Sequence, residues 1–499
     1  MKFNLKVISN IIGILLMING FLMLTAVPFG LHHNEGSWKG ILISALINSA
    51  VGFFLYYRTK NNQNKDLKKR DGYLIVISSW IFMSFFGMLP YLLTGQIPNI
   101  HDAFFETVSG YTTTGATILN DIEILDHGIL YWRSLTQWIG GMGIIVLAVA
   151  ILPFLGIGGM QLFVAEAPGV SVDKLQPRIK ETAIRLWQIY ISFTVLLFFI
   201  LWAEGMNSFE AVNHAMTTFA TGGFSTKNAS ISYFESPLIQ YTIILFMFIS
   251  ATNFTLTYFA IKLNFKKVFN NEEFRIYTSF ILVLTSIVFM TLYLIDSSYA
   301  EETFRSALFS VVSILTTTGF TTVDFTGWTE FITILFFILM FFGASAGSTS
   351  GGIKLVRHVI LLKNSYIELK KQLHQSGVFP LRFNNNKVPQ SVVTNILAFM
   401  MLYVVIFSMG SIVMTILGVD FMTAIGSVAA TLGNVGPGIG DVGPTGNFSA
   451  IPNAGKYLQE KKDYDNFEFK SPINPWNVQE KYRNEYEKVK ALDVELKEG

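Results

Sequence analysis

The chain has 499 residues, a net charge of +2 and no cysteine. Charged residues are 14% of it, where soluble chains carry about 25%; aromatics are another 14%, with 45 Phe, and mean hydropathy is +0.46. These figures exclude disulfide frameworks, thiolate metal sites and cysteine nucleophiles, leave no basic patch for nucleic acid, and point to a bilayer protein rather than a cytosolic enzyme or a disordered chain.

A hydrocarbon core of about 30 Å needs roughly 20 apolar residues in a helix. Runs of this kind lie at residues 7–28, 38–57, 72–93, 131–156, 182–204, 237–263, 274–295, 328–362 and 391–418. The first is too long for a signal peptide and has no small-x-small cleavage site after it, so it reads as a retained helix. Lys and Arg cluster in every second connection. They are Arg58, Lys60, Lys65, Lys68, Lys69 and Arg70; Lys174, Arg178, Lys180 and Arg185; Lys262, Lys266, Lys267 and Arg275; and Lys354, Arg357, Lys363, Lys370, Lys371, Arg382 and Lys387. The positive-inside rule puts these segments, and the N-terminus, on the cytoplasmic side.

The outward connections carry a repeat. Each has a short semi-apolar stretch that ends in a Thr/Gly-rich turn: Tyr111-Thr-Thr-Thr-Gly115, Thr217-Thr-Phe-Ala-Thr-Gly-Gly223, Ser313-Ile-Leu-Thr-Thr-Thr-Gly319 and Ala430-Thr-Leu-Gly-Asn-Val-Gly436. They align without gaps. Ala103, Ala211, Ala307 and Ala424 each precede the glycine by 12 residues, and Ser109, Thr217, Ser313 and Ala430 precede it by six. Such internal repetition implies one structural unit used four times: helix, re-entrant hairpin, helix. About 12 residues of helix cover roughly 18 Å, half a bilayer. A half-helix survives in lipid only when buried in protein or lining a cavity, which four of them meeting on one axis would satisfy.

Asp102, Ser208 with Glu210, Glu302 with Thr303, and Asp420 suit N-caps of these half-helices at the outer surface. Their C-termini then point their negative dipole ends at the membrane centre, where a cation could be held. In the turns, backbone carbonyls can replace a cation's hydration shell. The hydroxyls of Thr113, Thr221 and Thr317 and the amide of Asn434 can add oxygen ligands. Oxygen ligands without a carboxylate cage favour a monovalent cation over Ca²⁺ or Mg²⁺. Glu106, inside the first half-helix, either tunes ion occupancy or contacts vestibule water or a neighbouring helix. His214 is expected in packing or a local hydrogen bond, and Arg133 and Lys227 are expected to be solvated.

With Ala220-Thr-Gly-Gly-Phe224, Leu315-Thr-Thr-Thr-Gly-Phe320, Asn434-Val-Gly-Pro-Gly438, Trp138-Ile-Gly-Gly-Met-Gly143 and Gly343-Ala-Ser-Ala-Gly-Ser-Thr-Ser-Gly-Gly352 added, residues 1 to about 455 resemble the TrkH/KtrB branch of the bacterial and fungal K⁺ transporter superfamily. The two extra N-terminal helices make the chain similar to the TrkH type. The resemblance implies an all-α polytopic fold of four pseudo-fourfold helix–pore loop–helix repeats around a central pore. It divides the chain into two N-terminal helices (1–70), repeat one (71–180), repeat two (181–270), repeat three (271–388), an incomplete repeat four (389–455) and a charged tail (456–499).

By the same resemblance, a K⁺-binding filter comprises Thr113, Thr114, Gly115, Thr221, Gly222, Gly223, Thr317, Thr318, Gly319, Asn434, Val435 and Gly436. In relatives, Ser at the first glycine goes with Na⁺ preference, so Gly115 favours K⁺, with Rb⁺ as surrogate. The family implies a homodimer in the bacterial cytoplasmic (inner) membrane, docked on a cytosolic nucleotide-binding regulatory subunit of the TrkA/KtrA type. It implies no cofactor beyond the transported ion and no chemistry. Symport coupled to Na⁺ or H⁺, or a Na⁺-permeable pathway, stays open as the alternative.

The 328–362 run is interrupted by ten residues with four glycines and three serines. Irregular backbone at membrane depth should line a cavity. The family's matching segment obstructs the pore, so Gly343, Ser345, Gly347, Ser348, Thr349, Ser350, Gly351 and Gly352 are assigned as a gate, with Lys354 and Arg357 at its cytoplasmic end. Small-residue helix packing is the alternative, and the expected role of Gly140, Gly141 and Gly143. Gly343-Ala-Ser345-Ala-Gly347 also fits G-x-S-x-G, the mark of a serine hydrolase, but lacks the strand–turn–helix context.

From Lys456 to Gly499 the chain has nine Lys/Arg and ten Asp/Glu, so nothing there can span a bilayer. The family continues there with a last membrane helix bearing an Arg near the filter. Two readings follow: a foreign join, which would leave an inactive truncated or fused chain, or a variant in which another element closes the pore. The stretch from about 478 is expected as a charged helix.

Overall fold

The computed structural model describes residues 4–60, 69–155 and 179–457. The charged tail, the charged helix expected from about 478, and parts of the first two basic connections therefore lie outside the described residues.

The described residues are mostly helical. Helices α1 (Leu5–Leu24), α2 (Val27–His32) and α3 (Ser37–Thr59) form the N-terminal hairpin. Then come α4 (Lys69–Gly87), α5 (Leu89–Thr94), α6 (Ile100–Tyr111), α7 (His127–Leu155), α8 (Ile179–Ala203) and α9 (Ser208–Phe219). Helices α10 (Pro237–Ser250), α11 (Phe254–Ile261), α12 (Phe265–Phe269), α13 (Glu272–Ile295) and α14 (Ala300–Leu315) follow. The last are α15 (Glu330–Leu339), α16 (Leu355–Leu373), α17 (Gln390–Ile416), α18 (Phe421–Gly433) and α19 (Asn453–Tyr457). A two-residue-per-strand hairpin, Arg382–Phe383 with Asn386–Lys387, sits between α16 and α17.

Among the described residues, six helices are long and apolar enough to cross a membrane, and a seventh span results if the bent pair α10 and α11 counts as one. That pair corrects the expectation of an unbroken run at 237–263. The chain bends by 111° between the two helices, across Ala251 and Thr252. Asn253 starts the second by accepting the Thr255 N–H at 2.8 Å, a helix N-cap. The 328–362 run is broken as expected, between α15 and α16.

Four short helices, α6, α9, α14 and α18, are the expected half-helices, with 12, 12, 16 and 13 residues. Their caps differ from expectation. Asn99 and Asn207 cap the first two through His101 N–H and Glu210 N–H. The third starts after Tyr299 with no side-chain cap. Only Asp420 caps as expected, accepting from Thr423 N–H at 3.0 Å. Asp102, Glu210 and Glu302 sit inside the first turn instead, where they still favour the positive helix end.

Small residues set how closely helices approach. Gly13 on α1 and Gly52 on α3 face each other, and a Cβ on either would lie within 3.0 Å of the other's carbonyl oxygen. Backbone contact of this kind is how helices associate where lipid offers no hydrophobic drive. Gly52→Leu is expected to lower stability by about 1–3 kcal/mol through overpacking. A lowered melting temperature in detergent would register it. Gly36→Leu, where a Cβ meets open space, should leave melting unchanged.

Candidate functional site

Each half-helix ends in the same backbone motif. The residue two before the repeat's glycine takes a left-handed conformation: φ is +58° at Thr113, +52° at Thr221, +56° at Thr317 and +60° at Asn434. Its N–H returns to the carbonyl three residues back, and the next N–H reaches five back, as in Thr114 to Ser109, Gly222 to Thr217, Thr318 to Ser313 and Val435 to Ala430, at 2.8–2.9 Å. This is the Schellman pattern of helix termination. It gives the small residue six before each glycine its place: its carbonyl is the acceptor. Left-handed backbone is unusual for a β-branched residue and costs about 1–3 kcal/mol per site. Three Thr share that strain, and Asn434 tolerates it best.

The glycines follow with φ of +81° at Gly115, +77° at Gly223, +79° at Gly319 and +98° at Gly436. Their neighbours show how the turns meet. A Cβ on Gly115 would strike the carbonyl oxygen of Gly222, one on Gly223 that of Thr318, one on Gly319 that of Val435, and one on Gly436 that of Thr114, each within 3.0 Å. First touches second, second third, third fourth, and fourth first, so the four turns close a ring. The loops beyond them close a second ring. Asn228 accepts from Ile122 N–H at 2.7 Å, Thr321 from Ile231 N–H at 3.1 Å, Asp324 from the Thr445 hydroxyl at 3.1 Å, and Thr117 from Phe448 N–H at 2.8 Å.

The Thr and Asn side chains of these turns are hydrogen-bonded within the protein. The Thr317 hydroxyl accepts from Gly351 N–H at 2.6 Å, the Thr221 hydroxyl donates to the Ala220 carbonyl at 2.7 Å, and the Asn434 amide accepts from the Thr114 hydroxyl at 2.6 Å while donating to the Thr113 carbonyl at 3.3 Å. The Asn434 amide thus ties the fourth turn to the first.

Residues 343–352 lie against this ring. Besides the Gly351 contact with Thr317, a Cβ on Gly351 would meet the Asn434 side chain, one on Gly352 would meet the Gly433 carbonyl, and the Thr349 hydroxyl lies 3.4 Å from the Phe219 carbonyl. The far side of the loop fills the break between α10 and α11. Ser345 N–H donates to the Ala251 carbonyl, the Thr349 hydroxyl to the Ser250 carbonyl at 3.1 Å, and Phe254 N–H to the Gly347 carbonyl at 3.0 Å. Asn253 donates to the Ala346 carbonyl at 2.7 Å, and buried Glu273 accepts from Ala346 N–H at 2.7 Å. The loop therefore supplies partners that a broken helix lacks. Lys354 binds the Ser350 carbonyl and, at 3.1 Å, its hydroxyl, and Arg357 lies over Phe399. Ser345 Oγ is buried without a hydrogen-bond partner, and His358 Nε2 faces the Phe341 carbonyl at 3.2 Å. The two do not form a nucleophile–base pair.

Arg133 is buried, contrary to expectation, and Lys227 is partly exposed and ion-paired. Arg133 is 2% exposed and Glu106 fully buried. They pair at 2.6 Å, Nε to Oε1. Glu106 also accepts from the Thr117 hydroxyl and from Ile118 N–H at 3.0 Å, and Arg133 donates to the Ser225 carbonyl at 2.9 Å and stacks over Phe224 at 3.5 Å. The pair therefore joins the chain leaving the first turn to the chain leaving the second. Lys227 Nζ lies 3.3 Å from Glu210 and 3.6 Å from Glu123. Burial works to lower its pKa, but these carboxylates outweigh it and hold the ammonium above its usual value. His214 makes the expected local bonds, donating from Nδ1 to the Glu210 carbonyl at 2.8 Å with Nε2 at 2.9 Å from Ser225 Oγ. Gly140 and Gly141 pack as expected, against the Tyr111 carbonyl and Ala220. Arg133→Met is expected to destabilise by about 3–5 kcal/mol, because Glu106 stays buried and unpaired. The double variant with Glu106→Gln should recover part of that loss in the same melting assay.

A sequence model of the TrkH family, described as cation transport protein, matches residues 38–454. The chain is 39% identical over 459 residues to the Trk system potassium uptake protein TrkH of Escherichia coli (strain K12), covering 91% of this chain and 94% of that protein. It is 40% identical over 443 residues to the protein of the same name from Vibrio parahaemolyticus serotype O3:K6, covering 87% and 91%. The crystal structure of the potassium transporter TrkH from Vibrio parahaemolyticus matches with a TM-score of 0.82 at 36% identity, over 91% of this chain and 95% of that one. With one backbone turn built four times over into a ring and relatives alike along nearly their whole length, the chain belongs to the TrkH family of cation transport proteins.

Proposed function

We propose that this chain carries K⁺ across the bacterial cytoplasmic membrane as the pore-forming subunit of a Trk-type uptake system. The observation that carries the reading is the closed ring of four turns, in which a left-handed residue and a left-handed glycine recur at the same spacing. Carbonyl oxygens gathered by such turns can replace the hydration shell of a weakly hydrated cation. The filter then comprises Thr113, Thr114, Gly115; Thr221, Gly222, Gly223; Thr317, Thr318, Gly319; and Asn434, Val435, Gly436. The repeats run 71–180, 181–270, 271–388 and 389–455, after two N-terminal helices. The names of the relatives support K⁺ as the ion.

Loop 343–352 serves as the gate, a role its contacts with three of the four half-helix ends support. The alternating basic connections support a cytoplasmic N-terminus. A homodimer and a cytosolic nucleotide-binding subunit of the TrkA/KtrA type complete the system by family likeness.

The test is ⁸⁶Rb⁺ uptake into liposomes holding the full chain, with K⁺ and Na⁺ as competitors. K⁺ should block uptake far better than Na⁺; equal competition would sink the reading. Gly115→Ser places a Cβ against the Gly222 carbonyl and should weaken K⁺ over Na⁺ selection by about tenfold, about 1.4 kcal/mol. Gate and filter should separate. Asn253→Asp keeps the acceptor that caps α11 but loses the donor to Ala346. One lost hydrogen bond of about 1 kcal/mol shifts a two-state loop about fivefold toward release. Rb⁺ flux should rise with an unchanged K⁺ to Na⁺ ratio, and a changed ratio would tie the loop to selectivity instead.

A further inference from the structure

The second position of each filter turn is occupied by Thr114, Gly222, Thr318 and Val435. Three of the four have a side chain, and all three side chains are buried. The fourth is glycine, and its backbone gives no reason for that: Gly222 is not among the residues with positive φ. The reason is space. A Cβ on Gly222 would fall within 3.0 Å of Cδ, Oε1 and Nε2 of Gln137, which reaches in from α7 and is itself fully buried.

The amide is engaged at both ends. Nε2 donates to the Gly222 carbonyl at 2.6 Å, and Oε1 accepts from Phe224 N–H at 3.0 Å. Flipping it would set donor against donor and acceptor against acceptor, so its orientation is fixed. The two bonds bracket Gly223. The carbonyl it holds is also the one that Gly115 approaches from the first turn.

We infer that Gln137 is a positioning residue for ion selectivity: its side chain takes the place of the absent second-position side chain in repeat two and fixes the Gly222 carbonyl in the ring. This rests on the filter reading above. A carbonyl has two acceptor sites, so the bond from Nε2 leaves one for an ion while removing the oxygen's freedom to move. The wall that Gln137 holds would otherwise be the slackest of the four, with glycine at both its second and third positions.

The experiment uses the full chain in liposomes and reads the K⁺ to Na⁺ competition ratio for ⁸⁶Rb⁺ uptake. Gln137→Ala is expected to lower that ratio at least about tenfold, from the loss of two buried hydrogen bonds. Gly222→Thr alone should abolish uptake, since the new side chain collides with the amide. Gln137→Ala combined with Gly222→Thr should recover uptake, because the threonine then fills the vacated space as Thr114 and Thr318 do in their turns, while the ratio stays at the Gln137→Ala value because both hydrogen bonds are still absent. A purely structural role for Gln137 would move melting without moving the ratio. If Gln137→Ala fails to fold, Gln137→Met keeps the volume, drops both hydrogen bonds and must show the same loss of ratio. A ratio within about twofold of the parent in the folded variant, or a double variant no better than Gly222→Thr, overturns the inference. Gly115→Ser is the control that separates the two readings. If it shifts the ratio while Gln137 variants do not, the filter stands and the role of Gln137 falls. If the parent shows no discrimination, the filter reading fails first.

Discussion

Four segments of backbone must meet around one axis with no room for a Cβ between them. Most of what surrounds the ring follows from that contact. It requires glycine at positions 115, 223, 319 and 436, and it requires the chain to turn sharply just before each one. The turn is made by ending a helix in a left-handed residue, so a half-helix precedes every glycine. Half-helices in a membrane must be enclosed, and the long apolar helices supply the enclosure. Their outer faces can stay apolar because lipid takes the place of protein there: α17 is mostly exposed along its length yet carries no charge.

Helix α7 shows how the rest of the fold braces the ring. Arg133, Thr136, Gln137, Gly140 and Gly141 follow the i, i+3, i+4, i+7, i+8 spacing of one helical face. Every one of them meets backbone of the first two half-helices or the chain leaving their turns. Arg133 binds the Ser225 carbonyl, the Thr136 side chain lies against Gly110, Gln137 grips Gly222 and Phe224, and Gly140 and Gly141 sit against Tyr111 and Ala220. A stripe that is polar at one end and bare at the other is odd for a membrane helix. It becomes intelligible once its partner is exposed peptide rather than side chains.

The sequence made the ring legible because the repeat restates it four times, and chance does not align four glycines with four alanines at one offset. The broken 328–362 run was legible for the same kind of reason, a dense local composition. What escaped was written in single residues whose meaning lies far along the chain. Arg133 reads as an outer-surface charge until Glu106, 27 residues away, is placed beside it. Gln137 carries no signal at all except that Gly222 lacks a side chain where its three counterparts have one. The bend after Ser250 hides in an apolar stretch with no Gly and no Pro beyond Pro237 at its start; only the short polar run Ser250-Ala-Thr-Asn253, with Asn suited to capping, hints at it. The caps were misplaced by a few residues because acidic residues in a first turn and an Asn just before it satisfy the same helix end in different ways.

The seam between loop 343–352 and the α10–α11 break has a further consequence. The carbonyls of Ser250 and Ala251 and the N–H of Phe254 find partners in that loop, so any displacement of the loop strands polar groups of both segments at once. Buried peptide groups do not stay unpaired; water must follow the loop out. Displacement is therefore a wetting transition, and its free energy depends on the activity of water as well as on the strength of the bonds broken. A chain built this way would feel osmotic stress directly at that seam, with dehydrating solutes holding the loop in place and dilute solution releasing it.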